Sequence, residues 1–166
     1  LNNSLSAVQG LGVGETLTDS FAYTVSDGHG GTASNTLTIT ISGANDAPAA
    51  LAATASVIED TALSASGVLP RPSDPDFHDT VAFIPLAARA GAYGTLTLAA
   101  DGHYTYVLNN TLPAVQGLGV GETLTDTITY QVIDNHGATG SATLTVTING
   151  TNDNPIVTPL TASILE

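Results

Sequence analysis

Across 166 residues the chain sets 15 Asp and Glu against 2 Lys and Arg, giving a formal net charge of −13, with 42% hydrophobic residues and no Cys. Phosphate contacts are made mainly by Lys and Arg, so nucleic acid and anionic membrane surfaces are poor partners for such a chain, and without Cys there are neither disulfides nor thiolate metal sites. Charged residues are only 10% of the chain, against about 25% in an average soluble domain, so the acidity reflects missing bases rather than the crowded acids of a halophile surface, and it suits a divalent cation.

From the first residue onward the chain repeats itself. AVQGLGVGETLTD at positions 7–19 returns unchanged at 114–126. Leu1 corresponds to Leu108, Asp27 to Asp134 and Pro48 to Pro155, a constant offset of 107. Roughly two-thirds of the first 48 positions recur identically, the mark of a tandem array. TASILE (161–166) echoes TASVIE (54–59) at the same spacing, so the period runs through both ends. A repeat of this length is the size of one compact domain. The chain is therefore divided into the back part of one unit (1–48), one complete unit (49–155) and the opening of a third (156–166), with joints near GANDAP and GTNDNP. Residues 1–48 hold two strands without partner strands and are expected to be less protected than the complete unit.

Within the complete unit the apolar period is two. TLTL (95–98), HYTYVL (103–108) and TLTVTI (143–148), like TLTITI (36–41) before them, alternate polar and apolar residues as a strand with one buried face does. Strands are expected near 52–58, 61–69, 80–86, 94–99, 103–108, 124–133 and 141–149, with Asp101-Gly102 as a tight hairpin and DNHGATG (134–140) turning the last pair. The stretch from Asn109 to Gly121 holds at most a helical turn at LPAVQGL, its glycines favouring a bent loop. Seven short strands at this spacing specify an all-β, immunoglobulin-like sandwich. No apolar run of about 18 residues and no basic leader occurs, so no membrane span or signal peptide is expected in this stretch, as befits an internal piece of a longer chain.

The acids fall where strands meet loops. Glu59 ends the first strand, Asp74 and Asp76 lie in the loop RPSDPDFHD, Asn45-Asp46 lies in the linker, and Glu15 precedes a strand of the unit before. All are expected at one end of the sandwich, at the joint between units. Unpaired carboxylates held close repel strongly, and a hard cation that accepts six to eight oxygens, calcium above all, relieves this. Simpler readings apply elsewhere. Asp19 and Asp126 read as orienting their loops, Asp27 and Asp134 as accepting backbone hydrogen bonds in glycine turns, and the tyrosines as core. His29 and His136 have no second His or Cys at ligand spacing. An EF-hand loop begun at Asp74 fails, since it places Asp79 where Gly is needed and Pro85 where Glu is needed.

LGVGETLTDTITYQVIDNHG (118–137) resembles the part of cadherin ectodomains in which an acidic cluster ending in Glu precedes a Tyr-containing strand and its turn. GTNDNP resembles the cadherin linker, and SDPD the cadherin Asp-Ala-Asp pair. The run ETLTD…YTVSDGHGGTA…TITISGANDAP resembles the VCBS repeat of giant bacterial surface proteins, over essentially the whole chain. The resemblance implies a seven-stranded immunoglobulin/cadherin-like Greek-key sandwich repeated with period 107. It also implies calcium ligation by Glu15, Asn45, Asp46, Glu59, Asp74 and Asp76 at the joint within the chain, and by Glu122, Asn152, Asp153 and Glu166 at a second joint. Gly43 and Gly150 stand where the cadherin linker opens with Asp, and Val13 and Val120 where another Asp is usual, so fewer ions per joint are expected than a cadherin holds.

The function implied is that of a calcium-binding structural extender in a large secreted bacterial adhesin, on the cell surface or in a biofilm, with calcium stiffening the joints. Its partners would be the adjacent repeats of the same chain, while other domains meet a host or surface glycan or protein. The alternative is a module that grips a glycan or protein itself; that would need a distinctive exposed aromatic or charged patch, and only 5% of residues are aromatic. Catalysis is not expected: phosphate loops and nucleophile elbows are missing from the sequence, and Asp74 with Asp76 or Glu59 makes a poor glycosidase pair without an aromatic-lined cleft.

Overall fold

The computed structural model describes residues 1–155, 157 and 159–164. After a one-turn helix α1 (Ser6–Gln9), strands β1 (Thr16–Ser26) and β2 (Thr32–Ser42) form an antiparallel hairpin. A linker leads into a larger folded unit: β3 (Ala53–Ile58), β4 (Ser64–Val68), β5 (Val81–Phe83), β6 (Leu86–Ala90), β7 (Gly94–Leu98), β8 (His103–Leu108), helix α2 (Pro113–Gln116), β9 (Thr123–Asp134) and β10 (Thr139–Asn149). Two four-stranded sheets, ordered β3-β10-β9-β5 and β4-β8-β7-β6, face one another. The architecture is the all-β immunoglobulin/cadherin-like sandwich. Among the described residues no helix is long and apolar enough to cross a membrane.

The unit has eight strands rather than seven because the expected strand 80–86 ends at Phe83 and a further strand, β6 (Leu86–Ala90), follows where none is expected. β5 pairs with β9 in one sheet and β6 with β7 in the other, and the break falls at Ile84-Pro85. Proline has no N–H to give a ladder, so the chain changes sheets there. The Asp101-Gly102 hairpin forms as expected, with Gly102 at φ +90° and the Asp101 carboxylate accepting from His103 N–H at 3.1 Å.

Core formation follows the period of two. On β9, Ile128, Tyr130 and Val132 point inward; on β10, Leu144, Val146 and Ile148 do, and all six are buried. Their partners across the sandwich include Leu96, Leu98 and Tyr106, with Val115 of α2 closing one end. Asp126 is buried beside them and accepts from Ala92 N–H (2.9 Å), Tyr93 N–H (3.0 Å) and the Tyr106 hydroxyl (2.8 Å), which ties the bend after β6 to the core. Burial, then the bond to Asp126, push the Tyr106 phenol well up, so it stays a donor.

The β1–β2 hairpin carries nearly the same residues and none of this burial. Phe21, Tyr23, Val25, Leu37 and Ile39 are all exposed, whereas the residues 107 positions later, Ile128, Tyr130, Val132, Leu144 and Val146, are at most 3% exposed. Strands β3 to β8 make the difference, because a hairpin alone has nothing to close over its apolar face.

Candidate metal centre at the junction

The linker is held on the near end of the larger unit. Ala49 and Ser73 exchange backbone hydrogen bonds at 2.8 and 3.1 Å, which brings Asn45 and Asp46 against the loop carrying Asp74, Asp76 and Asp79. That loop folds on itself: Asp76 N–H donates to Asp74 Oδ1 (3.0 Å), and Asp79 N–H to the Asp76 carbonyl (3.2 Å). Asp46 N–H donates to Asp76 Oδ2 at 2.9 Å, and Asn45 Nδ2 donates to Asp134 Oδ2 at 2.9 Å. Oxygens of Asp74, Asp79 and Asp134 lie within 4.8 Å of one another. Glu15 closes the rim, its Oε2 accepting from Gly12 N–H at 3.0 Å and its Oε1 standing 2.5 Å from His78 Nδ1.

Several of these oxygens have nothing to bind. Asn45 Oδ1, Asp74 Oδ2 and Asp76 Oδ1 are buried and have no hydrogen-bond partner. Buried polar atoms are ordinarily satisfied, and three partnerless acceptors at one junction are what a bound cation would satisfy. Burial pushes the Asp74 carboxyl up, and the charges of Asp76, Asp79 and Asp134 push it further. Burial acts the same way on Asp134, but the Asn45 amide and the N–H groups of His136, Ala138 and Gly137 outweigh it and hold that carboxyl below its usual range. His136, hydrogen-bonded to Asp79 at 2.9 Å, is pushed up by that bond and by the surrounding acids, against the opposing effect of its own burial. A donor set of carboxylate and amide oxygens on flexible loops fits a hard cation such as calcium.

Of the residues read from sequence, Asn45, Asp46, Asp74 and Asp76 come together here, with Glu15 at the rim. Glu59 does not join them. β3 runs parallel to β10, so both end at the far end of the sandwich; there Glu59 N–H donates to the Asn149 carbonyl (3.1 Å) and Glu59 Oε1 accepts from Thr151 N–H (2.8 Å). Its assignment to the first joint is therefore corrected: Glu59 belongs with Glu122 and the second linker. The side chain is fully buried and its Oε2 has no partner. Glu122 Oε2 accepts from Gly119 N–H at 2.8 Å and Asn152 Nδ2 donates to the Asp153 carbonyl at 3.1 Å, the local bonds that Glu15 and Asn45 make 107 positions earlier. Asn152 and Asp153 are exposed, and Glu166 lies outside the described residues.

Two residues at the first junction escaped the sequence reading. Asp134 does accept backbone hydrogen bonds in its turn, from His136 and Ala138 through Oδ1, but its Oδ2 faces the cluster. Asp79 is the third acid of RPSDPDFHD, and that density of acids was its signal. At the far end Asp60, at φ +60°, accepts from Asn110 Nδ2 (2.7 Å) and Gln116 Nε2 (3.0 Å), fixing the turn that carries Glu59.

A family model described as the bacterial cadherin-like domain matches residues 45–150. The chain belongs to the bacterial cadherin-like family. A second model, described as a bacterial Ig domain, matches residues 9–40. Domains of both kinds are typically extracellular surface modules with structural or adhesive roles, and cadherin-like domains commonly bind calcium. Among solved structures, this cadherin-like chain is similar to a nucleoside hydrolase-related hypothetical protein from Saccharophagus degradans associated with carbohydrate metabolism, at 14% identity and TM-score 0.40, covering 64% of this chain and 26% of that one. It is similar also to the protocadherin GammaB4 extracellular domain, at 18% identity and TM-score 0.41, covering 81% of this chain and 22% of that one. The chain thus spans about a quarter of the length of either structure. It matches no curated protein.

Proposed function

We propose that this chain is a stretch of a tandem array, similar to VCBS repeats, that extends a large secreted bacterial adhesin and is stiffened by calcium at its joints. In this reading residues 1–48 are the back part of one unit, 49–155 a whole unit and 156–166 the opening of the next. The observation that carries it is the trio of buried, partnerless oxygens on Asn45, Asp74 and Asp76, because they come from both sides of the joint. A cation bound there would be held by the linker and the sandwich at once, with Asp79 and Asp134 completing the charge. Glu59, Glu122 and Asp153 would form half of an equivalent centre at the far end. The bound ion supplies charge neutralisation and cross-linking, and no reaction is implied. Near-identical units in series suit a spacer, and extracellular calcium modules work at about 10⁻⁴ to 10⁻³ M.

Calorimetric calcium titration of the chain, with X-ray scattering in calcium and in EDTA, tests the proposal. Binding that Asp76→Ala abolishes at the first joint, together with a more compact and less variable scattering profile in calcium, is the expected result. Calcium uptake at the first joint should survive Glu59→Ala, because Glu59 lies at the far end of the sandwich. No heat at millimolar calcium and identical profiles in EDTA would refute it.

A further inference from the structure

The metal centre is not the whole of the joint. The residues AVQGLG occur twice, at 7–12 and 114–119, and each copy closes a one-turn helix with a glycine, Gly10 or Gly117. Gly10 is buried and Gly117 is exposed. What covers Gly10 is Phe77, from the acidic loop of the larger unit: a Cβ built on Gly10 would overlap the Phe77 ring, and Phe77 N–H donates to the Gly10 carbonyl at 3.1 Å. Gly12, also buried, lies beside Asp76 and Asp79. The ring itself remains 65% exposed, so it lies on the surface of the preceding segment rather than in either core.

Neither glycine is required by its own φ angle. Gly10 has φ −82° and Gly117 φ −93°, conformations open to any residue, and a Cβ on Gly117 would meet just the Pro113 carbonyl oxygen, at 3.1 Å. A glycine that its φ angle does not demand, under an aromatic ring in one copy and exposed in the other, marks a place kept clear for something that lies against it. We propose that the glycine ending each helical turn is a seat for the aromatic ring of the adjoining unit's Asp-Pro-Asp-Phe loop, a contact that sets the joint without any metal. The proposal rests on the tandem-unit reading, but not on calcium. Phe77 and its backbone N–H grip the preceding segment one residue beyond Asp76, so the seat delivers the acids to the linker and the ion then locks an orientation already chosen.

Proton NMR of the chain in EDTA tests this, with Gly117 as the internal reference. A seated ring displaces the Gly10 Hα resonances by its ring current, while the Gly117 Hα resonances, in the same local sequence, keep unperturbed values. Phe77→Leu should return Gly10 to the Gly117 position. Gly10→Ala should abolish the nuclear Overhauser contacts between residue 10 and the Phe77 ring while leaving the β9 and β10 resonances in place, since Phe77 is outside the core; Gly117→Ala should leave the Phe77 ring resonances unmoved. Equal Gly10 and Gly117 shifts in EDTA, a displacement that survives Phe77→Leu, or one that appears only with calcium would overturn it. A chain that binds no calcium yet keeps the displaced Gly10 resonances would refute the metal reading and leave the seat standing.

Discussion

Asp74→Asn should stabilise the metal-free chain and destabilise the calcium-bound one relative to wild type. Oxygens of Asp74, Asp79 and Asp134 lie within 4.8 Å of one another. Two unit charges at that distance repel by about 3.5 kcal/mol at an effective dielectric constant of about 20. Removing the Asp74 charge relieves its repulsion with both neighbours. Salt with a screening length of about 8–10 Å, together with the His136 imidazole beside Asp79, cuts the gain, and about 1–1.5 kcal/mol is expected in EDTA. The substitution keeps the Oδ1 that accepts from Asp76 N–H and replaces the partnerless Oδ2 by an amide that can donate to the remaining carboxylates. With calcium at about a hundred times its dissociation constant the wild type gains about 2.7 kcal/mol, most of which the variant forgoes, so the order of stabilities reverses. Thermal unfolding in EDTA and in excess calcium reads this directly, because 1 kcal/mol moves the midpoint by roughly 4–8 °C in a domain of this size. A variant less stable than wild type in EDTA, or one with an undiminished calcium gain, would sink the idea that these acids are held against their mutual repulsion for a cation.

Asp126→Ala should cost about 3 kcal/mol or more, since it strands three donors around a buried carboxylate; Asp19→Ala, in the same sequence context but exposed, should change the urea midpoint by the equivalent of no more than about 0.5 kcal/mol. Similar midpoints for the two variants would contradict the tertiary assignment. In EDTA the stability should fall as pH rises above about 6.5. The folded-state pKa of His136 lies above the unfolded value of about 6.5, so its pairing with Asp79 is complete below that value and lost as pH climbs through the raised one; His136→Gln should flatten the profile, and an unchanged slope would count against the pairing. Asp134 has the opposite sign, its contribution being present above about pH 4 and lost below it. Amide exchange should separate β1–β2 from β9–β10 despite their near-identical sequences, the former exchanging through local opening and the latter only on global unfolding; equal protection would show that the hairpin's apolar face is covered in solution.

The strands, the repeat and the acidic joint were legible because each leaves a local trace. Alternation along TLTVTI sets which side chains share a face, Asp101-Gly102 writes its own turn, and the 107-residue offset needs no folding to be seen. Pro85 was equally visible, yet that the chain changes sheets there depends on which neighbours β5 and β6 find. The placement of Glu59 failed for the same kind of reason: nothing local shows that β3 runs parallel to β10 and so delivers its last residue to the far end. Asp79 and Asp134 lie 55 positions apart and become one cluster only when the loop before β5 folds onto the turn after β9. The plainest case is the duplicated segment itself. Sequence alone made Tyr23 and Tyr130, Asp19 and Asp126, and Gly10 and Gly117 equivalent. Tertiary structure buries one of each pair and exposes the other, because burial belongs to whatever packs against a residue and not to the residue.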